Sequence, residues 1–388
     1  MSATSSGAPL PYRLRLPGPT AVPERVLQAA ARPLTAHRGP EFLPRFKSIL
    51  DRLQPILGRS GIPSFIFAST GIGAMESAVV NVAGPGKRVL ITTNGQWGPV
   101  FRRLAEEIGA EVDEVVSPLG APVDLDGVRR ALAEKEYAAV LTVHSESSTG
   151  ALTDLEALGA IVGETDALLC CDSVSGLAGA EMRADEWGVD VVVSASQKCL
   201  MCPPGLGIAS VSEKAWGVIS RDDRGPRGYF DYRKFRPNSE KGEPTYTAPV
   251  AMLNALDESL TMIGETGLEE TLARHKRLNR ALTAGLQALG FSIFPNGTPS
   301  PTLVVMRTPD GVSAPKLIAH LQDHYNCAIA GTRFEELKES LIRIGTMGWV
   351  SKADIRTDLE QIAGSLKALG RAADIDAGLA AAEAARAE

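Results

Sequence analysis

Along this chain the hydrophobic period switches repeatedly, and the switches mark the elements. Short apolar or alternating runs at Phe65–Phe67, Arg88–Thr93, Glu111–Val116, Ala139–Val143, Ala167–Cys171 and Val189–Val193 predict strands. Between them, helical spacing predicts helices over 74–82, from about Trp97 to Gly109, over 124–135 and over 154–163. Two earlier helices are expected over 24–31 and 42–57, after an extended stretch, 14–23, stiffened by Pro17, Pro19 and Pro23. Such alternation implies a mainly parallel sheet with helices on both faces. Residues 220–248, rich in Arg, Gly, Pro and aromatics, are expected to form a long irregular loop with a functional or interface role. Beyond it come predicted helices Pro249–Ile263 and Leu268–Leu289, with His275 on the apolar stripe of the second, where it reads as a packed histidine. Short strands near Ser292, Thr302–Arg307, Ala328 and Leu341–Ile344 alternate with helices Ala314–Tyr325 and Lys352–Leu369, suggesting a small α+β unit. The Ala-rich tail from residue 372 is helical by propensity.

The polar residues gather where the strands end. In parallel α/β sheets the ligand crevice lies outside the carboxyl ends of the strands. Ser145–Thr149, Asp172–Ser175, Ser194–Lys198 and Trp97 all fall at such ends. Lys198 follows a buried strand and precedes Pro203, Pro204, Gly205 and Gly207, which forbid a long helix. A lysine held there is either an ordinary strand-end cation or a desolvated amine able to act as a nucleophile. Asp172 ends the neighbouring predicted strand and suits the protonated nitrogen of a pyridine ring. Trp97 suits stacking on a flat ring. Ser69–Gly73 is a small-residue turn into a helix, a phosphate-binding arrangement rather than a dinucleotide fingerprint, since Glu76 breaks GxGxxG. Separately, each residue has a plain structural explanation; together they point to one ligand, pyridoxal 5′-phosphate.

Composition narrows the field without choosing the chemistry. The 388 residues are 44% hydrophobic and 22% charged, as in ordinary globular proteins. A net charge of −6 argues against nucleic acid or an anionic membrane as partner. No apolar run approaches a membrane span, and the first fifteen residues read as a flexible lead-in rather than a secretory signal. Five cysteines fit a reducing compartment, so a cytoplasmic location is expected. Cys199 and Cys202 form a CxxC without a second ligand pair, and the prolines that follow disfavour a redox helix; no metal is expected.

The motifs LPGPTAVPERV, HRGPEF, STGIGAMESA, NGQWG, HSESSTG, DSVSG, SQKCLMCPPGLG, YTAPV and IRIGTMG occur in that order from Leu16 to Gly348. In this the chain resembles the class V, fold-type I pyridoxal-phosphate aminotransferases, and most nearly the serine–glyoxylate and alanine–glyoxylate enzymes. The resemblance implies an α/β fold-type I architecture with a seven-stranded, mainly parallel sheet. It divides the chain into an N-terminal arm (1–20), a large cofactor domain (21–262) and a small C-terminal α+β domain (263–388). It implies that Lys198 is the Schiff-base lysine and proton shuttle, and that Asp172 pairs with the ring nitrogen. Val174 and Trp97 would flank the ring, and Ser147 would bond near its 3-hydroxyl. Thr70, Gly71, Ile72 and Gln197 would surround the phosphate, with Thr247 and Tyr246 supplied by the neighbouring subunit of a homodimer, itself able to assemble into a tetramer. Arg343 would clamp the substrate carboxylate, and Gly18 would let the backbone approach the substrate. Thr70 and Ile72 stand where many relatives carry Ser and a polar residue, which shifts the phosphate towards backbone N–H groups.

The activity this implies is transamination from a small amino acid of the serine or alanine type to a 2-oxo acid such as glyoxylate or pyruvate. The same cofactor would also serve a ureidoglycine, pyridoxamine or aminophosphonate donor. A cysteine desulfurase or related lyase is disfavoured by Gln197 before the lysine and by Cys327 as the only late thiol. From another class, a non-catalytic dimeric scaffold is opposed by the intact Lys198, Asp172 and Arg343.

Overall fold

Seven strands form the centre of the molecule, the inner ones with buried side chains. They are β1 (Phe65–Ala68), β2 (Arg88–Thr93), β3 (Glu111–Val116), β4 (Ala139–Val143), β5 (Leu168–Asp172), β6 (Val191–Ala195) and β7 (Leu206–Val211). The computed structural model describes residues 10–221 and 227–387. The order across the sheet is β1-β7-β6-β5-β4-β2-β3, with β7 antiparallel to both neighbours and the other pairs parallel. Alternate side chains feed two separate cores. Leu90, Val140, Leu169, Val192 and Ile208 pack on one face with the helices Phe42–Leu57 and Val250–Thr266. Val89, Leu141, Cys170, Val191 and Ala209 pack on the other with Gly71–Val82, Trp97–Glu107 and Glu213–Ile219. Burial on both faces is why these strands lack a polar face in sequence.

A second sheet, β8 (Ser292–Ile293), β9 (Leu303–Arg307) and β10 (Leu341–Gly345), is antiparallel. Val304, Met306, Ile342 and Ile344 face a third core shared with Leu268–Ala288, Ala314–Tyr325 and Lys352–Ala368, whereas Leu303, Val305 and Leu341 join the first core. The tail helix Ile375–Ala387 docks on this unit: Gly378 meets the Leu289 side chain and the Gly285 carbonyl, and Ala382 is buried.

The N-terminal arm is tied to the C-terminal unit. Arg13–Leu14 pairs in parallel with Cys327–Ala328, and Gly345 N donates to Arg15 O at 2.8 Å. Asp358, nearly inaccessible, binds Arg15 at 2.6 Å and Arg13 at 2.7 Å. These bonds carry the chain to Pro17 and Gly18 over the carboxyl edge of the large sheet.

Four expectations need correction. The strand predicted over Val189–Val193 runs over Val191–Ala195, because Asp190 is spent at its entrance, accepting from Leu169 N at 3.0 Å and Ser212 Oγ at 2.6 Å. The helix predicted from Ala74 begins at Gly71. The stretch 220–248 is not one irregular loop, since Tyr232–Glu240 is a helix anchored by Asp231 accepting from Arg233 N. Strand β7 was not anticipated. Residues 222–226 of the expected loop, and 1–9 of the lead-in, lie outside the described residues. No helix among the described residues is long and apolar enough to cross a membrane.

Candidate active site

The loop after β6 holds Lys198 by its backbone. Ser196 Oγ donates to Pro203 O at 2.7 Å and accepts from Leu206 N at 3.2 Å, fixing a tight turn. Lys198 O accepts from Met201 N at 2.9 Å and from Thr20 Oγ1 at 3.2 Å. The side chain is 9% exposed, and its Nζ donates to Pro17 O. Gly18 lies directly against it with φ +115°, and a Cβ there would overlap Nζ, Cε and Cδ of Lys198. That is the position at which glycine is required. Burial lowers the Lys198 pKa to about 8; the Cys199 and Asp172 charges oppose the shift and Arg343 adds to it.

Asp172 closes β5, in register with Val143 of β4 and Val193 of β6. It is buried, and its Oδ1 accepts from Val174 N at 2.8 Å while Oδ2 has no donor among the described residues. Burial raises its pKa to about 7, against the Val174 hydrogen bond, with the Glu146 charge raising it and Lys198 lowering it.

At the end of β1 the chain turns through Ser69 and extended Thr70 into the helix Gly71–Val82. Ala74 N makes the first helical bond, to Thr70 O at 3.0 Å, and no side chain caps the end. The N–H groups of Gly71, Ile72 and Gly73 are therefore open. Gln197 Oε1 is buried without a partner beside this turn. Gly71 packs tightly on Val174, whose methyls would lie 3.2 Å from a Cβ.

A network the sequence reading missed lies behind Trp97. Glu146 is fully buried; it accepts from Trp97 N (2.9 Å), Ser148 N (2.9 Å) and Ser148 Oγ (2.6 Å). Burial raises its pKa, and those donors oppose the rise. Trp97 Nε1 donates to Ser147 Oγ at 2.9 Å. The carbonyl of Ser147 accepts from Arg343 at 2.9 Å, and Arg343 Nε donates to Gly331 O at 2.7 Å. A carboxylate lying between serines at a strand end was the available signal for Glu146.

One cavity of about 310 Å³ is walled by Gly18, Thr70, Gly71, Ile72, Trp97, Ser145, Asp172, Val174, Gln197 and Lys198, of a size for a small ligand. Ser147 stands behind Trp97, and Arg343 joins through it. Tyr246 and Thr247 are elsewhere: Tyr246 stacks on Tyr229 at 5.1 Å, and Thr247 is exposed. A larger cavity of about 500 Å³, lined by His144, Trp187, Lys276 and Arg280 among others, contains none of the predicted site residues.

His275 is packed as expected. Its Nδ1 bonds Thr271 O at 2.7 Å, and its Nε2 accepts from Gly348 N at 3.1 Å, so the ring must be neutral. Burial first, then Arg274, lowers its pKa to about 4. A base whose folded pKa is depressed stabilises the fold fully above its unfolded value of 6.5, and loses that contribution as pH falls towards 4. The prediction is that His275→Gln removes about 2–3 kcal/mol from the pH 4–6.5 dependence of stability, read from urea midpoints. An unchanged pH slope would refute it.

The aminotransferase class-V model matches residues 16–351 of this chain. The chain belongs to the class-V aminotransferases. It is an enzyme of that family, and its fold is fold-type I. A protein of a Synechococcus strain, described as the small subunit of a soluble hydrogenase, is 33% identical over 92% of this aminotransferase and 93% of its own length. The serine–glyoxylate aminotransferase of Methylorubrum extorquens is 32% identical over 86% of each chain. Among solved structures, the ureidoglycine–glyoxylate aminotransferase of Bacillus subtilis superposes with a TM-score of 0.92 at 26% identity, covering 99% of this chain and 100% of that one.

The cofactor of this aminotransferase is pyridoxal 5′-phosphate. The residues present fit it: an amine against a side-chain-free glycine, a buried carboxyl with one oxygen open, and a helix start with free N–H groups beside an orphaned amide.

Proposed function

We propose that this aminotransferase moves the amino group of a small amino acid, of the serine or alanine type, to a 2-oxo acid such as glyoxylate or pyruvate. The observation that carries the assignment of roles is the Lys198–Asp172 pair. Asp172 ends one strand and Lys198 lies in the loop after its neighbour, both line one cavity, and their pKa values are about 7 and about 8. The glyoxylate named for both the Methylorubrum relative and the Bacillus neighbour supports the choice of acceptor.

When bound, the cofactor supplies an electron sink for the bond broken at the α-carbon. The chain does the rest. Lys198 Nζ, with a depressed pKa, has a sizeable neutral fraction near pH 7–8; it takes the α-hydrogen of the donor and returns it on the way to product. Asp172 would hold the proton on the ring nitrogen. Val174 and Trp97 would flank the ring, with Trp97 fixed by Glu146 and Ser147. Ser147 would serve the ring's 3-hydroxyl. Thr70, Gly71, Ile72 and Gln197 would hold the phosphate, mainly by backbone N–H groups at the helix start. Arg343 receives the substrate carboxylate, a bidentate task for its guanidinium. Gly18 permits close approach.

The exposure of Thr247, away from the cavity of its own chain, favours a homodimer in which Thr247 and Tyr246 complete the partner's phosphate site. The arm (1–20), large domain (21–262) and small domain (263–388) are proposed on the third core, whose buried residues all fall between Leu278 and Ala382. A cytoplasmic location is proposed from the five free, buried cysteines. A desulfurase has no support here: Cys327 is buried beside the arm, and burial pushes its thiol up to about 11.

The test is the visible absorbance of the holoenzyme with L-serine and L-alanine added separately. Bleaching by either, reversed by glyoxylate, is the expected result. A band indifferent to both would exclude the small-donor assignment.

A further inference from the structure

The helix that begins at Trp97 has no cap of its own. Gln96, the residue before it, makes no side-chain hydrogen bond to the first turn. The cap comes from Glu146, 49 positions away, whose Oε2 accepts from Trp97 N at 2.9 Å. Its Oε1 accepts from Ser148 N at 2.9 Å and from Ser148 Oγ at 2.6 Å. Ser148 Oγ in turn accepts from Gln96 N at 3.0 Å. Every polar neighbour of the Glu146 carboxyl is thus a donor, and both oxygens act only as acceptors, the pattern of an ionised carboxylate. An anion at this place also suits the positive end of the helix dipole. Gly95 makes the room, since a Cβ there would overlap Glu146 Cγ and Cδ.

Ser147 lies inside this turn and faces both ways. Its Oγ accepts from Trp97 Nε1, and its carbonyl accepts from Arg343 Nη1, each at 2.9 Å. Glu146, Ser147 and Ser148 are all buried, so water cannot stand in for a lost partner. Among the described residues no cation touches Glu146, and Glu146 does not line the 310 Å³ cavity. Its charge is spent wholly on the donors of Trp97 and Ser148. The ring at one wall of the cavity and the guanidinium behind it therefore rest on a single three-residue turn, closed by one carboxylate.

We propose that Glu146 is a positioning residue for both halves of the site: by capping the Trp97 helix and folding 146–148, its carboxylate sets the Trp97 ring for the cofactor and the Ser147 carbonyl for Arg343, so that cofactor affinity and carboxylate affinity fall together when its charge is removed. This rests on the roles given above to Trp97 and Arg343. It is not a catalytic residue, since it acts only through those two.

The test needs no turnover. In Glu146→Gln the new amide nitrogen must face Trp97 N or Ser148, donor against donor. The full chain is titrated with pyridoxal 5′-phosphate, following the visible band, and the holoenzyme is titrated calorimetrically with propionate, a carboxylate without an amine. In Glu146→Gln the half-saturating concentration of each is expected to rise about tenfold. Trp97→Phe sets the scale of the cofactor loss, and Arg343→Gln that of the propionate loss. A glutamine variant that weakens only one of the two, or neither, would overturn the proposal. Ser148→Ala is the gentler variant: it removes one donor and leaves the carboxylate, and it is expected to weaken both ligands about threefold. If the glutamine variant does not fold, parent-like affinities in Ser148→Ala would overturn the proposal. If Arg343→Gln binds propionate as the parent does, the carboxylate role of Arg343 falls and takes the proposal with it. Parent-like values in Glu146→Gln beside a weakened Arg343→Gln would overturn the proposal alone.

Discussion

Lys198→Ala is expected to lower turnover by at least about 10⁴-fold, the scale of removing an amine that serves, as proposed, as both nucleophile and proton carrier. The substitution leaves the loop intact. Its shape is held by Ser196, by the Lys198 backbone carbonyl and by Thr20, none of which needs the ammonium. It also removes an amine whose charged form is disfavoured by burial. Thermal melting of the variant should therefore be no lower than that of the parent. Loss of turnover with an unchanged or raised melting temperature would locate the effect in chemistry. A variant retaining a tenth of the parent's rate would remove Lys198 from the reaction.

Asp172→Asn is expected to cost about 10²–10³-fold in kcat, with little change in the KM for the donor, since the role proposed for the carboxyl is on the charge of the ring rather than on substrate binding. Asparagine keeps an oxygen for the Val174 N–H and conserves volume at a buried position between Val143 and Val193. Only the ionisable group is lost. Steady-state kinetics on the purified variant separates the outcomes: a rise in KM with kcat preserved would show that Asp172 serves binding instead.

The inner strands of the large sheet were legible because they are buried on both faces and marked by apolar runs, and the edge strand Glu111–Val116 by alternation. Strand β7 was hidden by its surroundings. LGIASV follows Pro203, Pro204 and Gly205, which read as a loop, and it runs against the direction of its neighbours. The helix Tyr232–Glu240 was obscured by its many polar residues and by Pro237; only Tyr232, Phe235 and Ser239, at helical spacing, face the core. Lys198, Asp172, Trp97 and Gly71 could be found because each lies at a strand or helix end. The Arg343–Ser147 bond joins residues 196 positions apart, and the Glu146 network depends on which way a turn faces. No local pattern encodes either. The same holds for the Asp358 pairs with Arg13 and Arg15, which join the two ends of the chain.

Those pairs have a mechanical consequence. Gly345, two residues from Arg343, is bonded to Arg15, and two residues beyond Arg15 is Pro17, which receives the Lys198 ammonium. Arg343, the proposed anchor of the substrate, and the carbonyl over the Lys198 amine therefore lie on one hydrogen-bonded piece. A displacement of the C-terminal unit that kept these bonds would move both together, so that product escape and renewed access to the amine would share one clock.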